Sequence, residues 1–290
     1  MTRNSRRRRR PMYTEPFGWR GWLLRLGGPV VALVLVILAW DLAVRWFDIP
    51  AYVLPSPERT LEHTLSDWDT LWEGFRITFL TFLMGFLLGA VSGFAFAVLM
   101  DMSGWVRSVL YPILIASQAV PVIAISAALT IWLGFGLAPK LVIVALVVFF
   151  PVVVNVLDGL NSVDRDMLNL VKSMGASRAK IFRYVKLPAT YTPLFSALKL
   201  SATFSVTGAV IGEWTASTSG GLGAYLLQAN SRLNTAGTFS AIVFLALLGV
   251  VSFLLVVAAE YLMTPWRSGS KARRWSRRYW RDDAAPGRKP

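Results

Sequence analysis

Apolar runs of about the length needed to cross a bilayer recur along this chain, separated by short polar connections. A helix crosses the hydrocarbon core with about 20 mostly apolar residues, with a lower limit near 17. Six runs meet that gauge: 28–44, 77–100, 109–133 with Pro121 inside it, 139–157, 192–211 and 239–263. In lipid every backbone polar group must be satisfied within the segment, so runs of this kind fold as helices. The expected fold class is therefore an all-α membrane protein with six transmembrane helices. Composition agrees: 55% of the 290 residues are hydrophobic and 16% are charged, against about 25% charged in soluble domains.

The charges set the orientation. The formal net charge is +14, and Lys and Arg crowd into residues 3–25, 165–186 and 267–289. Basic residues mark the cytoplasmic side of a membrane protein. An even number of spans puts both termini on one side, and both are basic, so both are expected in the cytoplasm. The expected organisation is a basic cytoplasmic tail over 1–27, a six-span membrane domain over 28–265 with a cytoplasmic segment at 158–188, and a second basic tail over 266–290. The outside would then receive 46–75, 134–138 and 213–238. The first of these carries Asp48, Glu58, Glu62, Asp67, Asp69 and Glu73 against Arg59 alone. Charge placed this way reads as topology, and nucleic acid is not an expected partner. Contact of Arg6 to Arg10 with anionic lipid headgroups is a further expectation, beside the plainer one of a retained cytoplasmic tail. The first run is long and lacks a small-residue cleavage site, so it reads as a retained span.

The residues that carry chemistry are scarce. There is no cysteine and one histidine, His63, so neither a thiolate metal site nor a nucleophile–base pair is expected. No Gly-x4-Gly-Lys-Ser/Thr string occurs, so this chain has no phosphate cradle of the P-loop kind. The expected catalytic and metal residues are none. The polar residues within the spans are mostly uncharged. Gln118, Ser126, Thr130, Thr203, Thr207 and Glu213 are the candidates for lining a pathway, each weighed against ordinary hydrogen bonding between helices. An ion-coupled carrier or channel is the alternative. Such proteins bury ionisable groups in mid-membrane, whereas Asp41, Glu213 and Glu260 fall near span ends here and Lys199 only a turn or two inside one.

Two patterns concern packing. Leu61, Leu65, Trp68, Trp72 and Phe75 recur every three or four residues, which predicts one amphipathic helix over 58–75 lying at the outer interface; His63 on it is expected to be solvated or among headgroups. Gly85, Gly89 and Gly93 lie four apart, a face on which another backbone can approach closely. Packing within the chain is preferred there to a subunit interface. The run from Thr215 to Gly223, TASTSGGLG, reads equally well as a receptor contact or a linker, and Ala224 to Arg232 as a short helix.

Residues 158–188 stand apart: a polar, basic stretch between two apolar runs. Asp164 can cap a helix ending near Lys172, Gly175 can take the left-handed conformation that stops it, and Ser177 can cap a second helix over 178–185. Pro188 lacks an amide donor and is expected to start a new direction. This is a compact knob between two spans.

The stretch resembles the cytoplasmic signature of bacterial ABC importer permeases, Glu-Ala-Ala, three residues, Gly, nine residues, Ile, one residue, Leu-Pro. Gly175, Val185, Leu187 and Pro188 match in register, while Asn169, Leu170 and Val171 depart from Glu-Ala-Ala. Pro121-Val122-Ile123-Ala124, Ile131 to Gly136, Phe149-Phe150-Pro151, Gly212-Glu213-Trp214, Gly221-Leu222-Gly223 and Leu227 to Arg232 are similar to the nitrate, sulfonate, taurine and thiamine-precursor permeases, nearest to the hydroxymethylpyrimidine and riboflavin-type branch. The resemblance implies a type I importer permease of a bacterial inner membrane, acting as a homodimer. In that family the knob is a coupling helix seated in a groove of an ABC ATPase subunit, which binds ATP and Mg, and an extracytoplasmic solute-binding protein delivers the solute. Carried onto this chain, the coupling residues are Asn169, Met174, Gly175, Ala176, Ser177, Arg178, Leu187 and Pro188.

Overall fold

The computed structural model describes residues 19–216 and 220–264. Residues 1–18, including Arg6 to Arg10, and the expected tail over 266–290 lie outside them, as do 217–219 of the glycine-rich run. The described residues form eleven α-helices: α1 (Trp19–Trp46), α2 (Pro57–Ser66), α3 (Trp68–Met102), α4 (Gly104–Ser117), α5 (Val122–Leu133), α6 (Leu137–Asn161), α7 (Arg165–Ser173), α8 (Arg178–Ile181), α9 (Leu187–Ala216), α10 (Leu222–Ser231) and α11 (Thr235–Met263). Helices α3, α6, α8 with α9, and α11 are long and apolar enough to cross a membrane, and the pair α4–α5 adds a fifth if it is one bent span.

Five of the six expected runs became longer helices, because apolarity marks only part of a helix while capping residues set its ends, and the run over 109–133 divided into α4 and α5. Ser56, Ser103 and Asn234 accept hydrogen bonds from the amides of Arg59, Val106 and Gly237 at the starts of α2, α4 and α11. The helix expected over 58–75 divides at Asp67, which closes α2 and opens α3. Trp68, Trp72, Phe75 and Phe79 therefore belong to α3. Their rings stack in succession at centroid separations of 6.2, 5.3 and 6.1 Å.

Helix α6 is the centre of the bundle, packed between α3 and α9. Val144, Val148, Val152 and Val156 are all fully buried on it. The glycine stripe explains how α3 comes so close. A Cβ on Gly85 would lie 2.5 Å from Val144 Cβ, one on Gly93 2.9 Å from the Phe149 carbonyl oxygen, and one on Gly89 would strike the Ala145 carbonyl. The stripe is thus an intrachain contact. The α3 backbone lies against the α6 backbone with no room for a side chain at these glycines, which favours dispersion where no hydrophobic force drives helices together in lipid.

Between α4 and α5 the chain tightens into successive i→i−3 bonds from the amides of Gln118, Ala119 and Val120. Pro121 then offers no donor, and the two axes differ by 101°. Pro188 behaves otherwise. After α8 the ladder opens into a π turn over Phe182–Lys186, with the Leu187 amide bonded to the Phe182 carbonyl, and α9 runs on unbroken through Pro188 and Pro193. The expected change of direction at Pro188 is absent. The proline sits in the first turn of α9, just past a widened turn that has already surrendered its regular i→i−4 bonds. Arg178 to Ala216 form one 39-residue rod.

Candidate coupling knob and pathway residues

The knob is built as its capping residues dictate. Asp164 Oδ1 accepts from the Asp166 amide at 2.9 Å to start α7, and Ser177 Oγ accepts from the Lys180 amide at 3.4 Å to start α8. Between them Gly175 has φ +79°. The Ala176 amide reaches back to the Val171 carbonyl at 3.3 Å and the Gly175 amide to Lys172 at 2.9 Å, the bonding that closes a helix through a left-handed glycine. Nothing lies within 4 Å of a Cβ placed on Gly175, so glycine is needed there for its backbone alone.

Helix α7 turns an apolar face to the surroundings. Met167, Leu170 and Met174 are 52%, 62% and 78% exposed. Asn169, Ser177 and Arg178 are exposed beside them, Ala176 is half-buried, and at the base of the rod Leu187 is half-buried and Pro188 exposed. The knob is tied to the bundle by buried Ile181 and by Lys186, whose ammonium lies 2.7 and 2.9 Å from the two carboxylate oxygens of Asp101 at the end of α3. Arg107 adds a 2.9 Å bond to Asn161 between α4 and α6.

The candidate pathway residues separate into two groups. Gln118, in the bend before α5, and Thr203 and Thr207 on α9 are exposed. Ser126 and Thr130 are buried and bond back to the carbonyls of Ile123 and Ser126 on their own helix at 2.7 and 2.9 Å. Glu213 is 2% exposed, at the opposite end of the bundle from the knob. Its Oε1 accepts from the Thr78 hydroxyl at 2.8 Å and its Oε2 from the Gly223 amide at 2.6 Å. Lys140, 1% exposed on α6, places its charge within electrostatic reach of that carboxylate. Lys199 forms an ion pair with Glu260 of α11.

At the same end as Glu213, His63 is half-buried, not freely solvated. Its Nε2 is 3.0 Å from Asn234 Nδ2, and the Ser240 hydroxyl lies 2.9 Å from that of Thr64 on the same helix. Tyr225 of α10 donates to Asp67 at 2.6 Å, and burial first, then the Asp67 carboxylate, push the phenol well above its ordinary range. Sequence reasoning missed Lys140, Thr78 and the pair Asp101–Lys186. A signal for Lys140 existed: it follows Pro139 at the start of one apolar run, as Glu213 closes another, and consecutive spans run antiparallel, so the two charges meet at one end. Among the described residues no group of three or more His, Cys, Asp or Glu is placed to hold a metal.

The described residues form a helical bundle with spans apolar enough for a membrane and a basic knob carried on one of them, and comparison with known proteins says which class of protein is built this way. Residues 85–264 match the model of the binding-protein-dependent transport system inner membrane component family. The chain belongs to that family and is a multi-pass inner-membrane protein. It is 32% identical over 240 residues to a probable ABC transporter permease of Haemophilus influenzae, covering 83% of this chain and 96% of that one. It is 30% identical over 240 residues to the formylaminopyrimidine transport permease ThiX of Halalkalibacterium halodurans (82% and 95%). It is 31% identical over 245 residues to the riboflavin transport permease RibX of Chloroflexus aurantiacus (84% and 91%).

Proposed function

We propose that this chain is the membrane subunit of an ATP-driven importer, paired with a second copy of itself to enclose a passage for a small polar solute. In this reading α1 joins the other spans as a sixth crossing, both termini face the cytoplasm, and the α7–α8 knob seats in a separate ATPase subunit that binds ATP and Mg. A solute-binding protein loads the opposite face. The chain itself catalyses nothing.

One observation carries the reading above the rest. The exposed Met167, Leu170 and Met174 face stands on a turn fixed by Gly175, and that turn leads into the helix that runs from Arg178 to Ala216. An exposed apolar face on a basic helix is a docking feature, and a rigid rod moves its far end whenever the docked end is moved. Transport then follows from the differing stability of two packings, biased by nucleotide in the partner. The solute we favour is a thiamine-precursor pyrimidine, in line with the ThiX relative. Riboflavin comes next, as in the RibX relative, and taurine, sulfonates and nitrate follow.

The test is reconstitution. The chain should co-purify with a P-loop ATPase and, in vesicles, take up formylaminopyrimidine or hydroxymethylpyrimidine only with ATP and the loaded binding protein. Uptake that follows a proton or sodium gradient with no ATPase present would replace this reading with an ion-coupled carrier.

A further inference from the structure

Helix α10 begins without a cap of its own. Its N-cap residue is Gly221, with φ +120° and no side chain to accept from the first amides. The orphan donors at a helix start are normally met by a local Ser, Thr, Asp or Asn. Here they are met from elsewhere. The Gly223 amide donates to Glu213 Oε2 at 2.6 Å, and the Leu222 amide donates to Thr78 Oγ1 at 2.8 Å. The Thr78 hydroxyl in turn donates to Glu213 Oε1 at 2.8 Å. One carboxylate on α9 and one hydroxyl on α3 thus close the start of a helix on the far side of the glycine turn.

The fit is close on every side. A Cβ on Gly221 would strike the Glu213 carboxylate, and one on Gly223 would lie 2.8 Å from Oε2. Both glycines are needed to let the backbone approach. The Trp214 indole donates to the Gly223 carbonyl at 2.9 Å, so the same residue is held at its donor and its acceptor by consecutive residues of α9. A negative group at a helix N-terminus is also favoured by the aligned peptide dipoles. Lys140 of α6 is buried within electrostatic reach of the same group.

We infer that Glu213 is a positioning residue, a remote N-cap that fixes the place and angle of α10 at the mouth of the passage, and that it does not itself touch the solute. The functional half of this inference rests on the importer reading. The structural half does not, and the two fail separately.

Amide hydrogen exchange on the full chain in nanodiscs tests the structural half. Glu213→Met keeps the volume and removes both acceptors, and should speed exchange at residues 222–224 about tenfold or more, the loss of a charge-assisted bond. Glu213→Gln retains a carbonyl for the Gly223 amide and should keep most of the protection. Thr78→Val, of nearly unchanged shape, should expose the Leu222 amide alone and decides the matter if the Met variant does not fold. Wild-type protection at 222–224 in both the Met and Val variants would overturn the cap.

ATP-driven uptake of formylaminopyrimidine by the reconstituted complex tests the functional half. Uptake should fall in Glu213→Met and be largely restored in Glu213→Gln. A freed α10 with unaltered uptake would reduce Glu213 to a stabilising residue and overturn its positioning role. Loss of uptake in Gln equal to that in Met, with α10 still protected in Gln, would place the charge in the passage and overturn it from the other side.

Discussion

Lys186, in the π turn, grips both carboxylate oxygens of Asp101 at the end of α3, at 2.7 and 2.9 Å. The two side chains are 22% and 9% exposed, so water screens the pair weakly. The contact ties the base of the knob to a helix 85 residues away in sequence, which in the proposed importer reading couples the α3–α4 turn to the rod. Reversing one partner, by Asp101→Lys, should lower stability by about 2 kcal/mol, the cost of leaving a partly buried charge unmet, and should reduce solute moved per ATP. Reversing both, with Lys186→Asp added, should recover most of each. A double variant no better than the single would show that the pair carries no orientation-specific coupling.

Gly175 invites a backbone experiment, because its φ of +79° is combined with open space on the side where a Cβ would project. Gly175→Val should strain the turn by about 1–2 kcal/mol, leaving membrane insertion intact while weakening ATPase co-purification and abolishing uptake. Gly175→Asn, which tolerates the left-handed region better, should retain substantial uptake. Equal uptake by Val and wild type would count against the knob's role.

The glycine stripe makes a stability prediction with an internal control. Gly89→Ala puts a methyl group against the Ala145 carbonyl, forcing α3 off α6, and should cost about 2 kcal/mol by overpacking. Gly104→Ala meets nothing within 4 Å at the start of α4 and should be neutral or slightly stabilising. Thermal unfolding in detergent separates the two.

Alkaline stability should report on Tyr225. Its phenol is held neutral in the fold by burial and by the Asp67 carboxylate it donates to, so its folded pKa lies above the unfolded value of about 10. The contribution is therefore complete below pH of about 10 and is lost progressively above it, as the unfolded chain releases a proton that the folded one retains. The melting temperature of wild type should fall more steeply above that pH than that of Tyr225→Phe. Parallel curves would mean the phenol ionises equally easily in both states.

The spans and caps were legible because each rests on local chemistry. Apolar length marks α3, α6, α9 and α11, and Asp164, Gly175 and Ser177 announced the caps and turn of the knob, though the second helix expected over 178–185 stops at Ile181 and gives way to the π turn. What failed to show was set by tertiary contact. Pro188 carries the ordinary signal of a break, and only the π turn ahead of it, which no single residue specifies, lets the helix run on. The division at Asp67 was hidden because the aromatic spacing persists across it. His63 looked solvated since its partner, Asn234, is 171 residues distant. Glu213 was singled out from sequence, but its contacts lie on three other elements, and its role as a cap depends on glycines that become meaningful only once α9 and α10 are seen folded together.

The π turn has a geometric corollary. A single surplus residue in a helix advances the azimuth of everything beyond it by about 100°. The facing of buried Ile181 on α8 and that of the buried residues of α9 are therefore indexed independently, although the helix runs on from Arg178 to Ala216. Evolution can alter which side of the knob meets its neighbour without disturbing which side of the rod meets α6. Deleting one residue between 182 and 186 would merge the two indexings and swing α7 to a different compass bearing beneath an otherwise unchanged bundle.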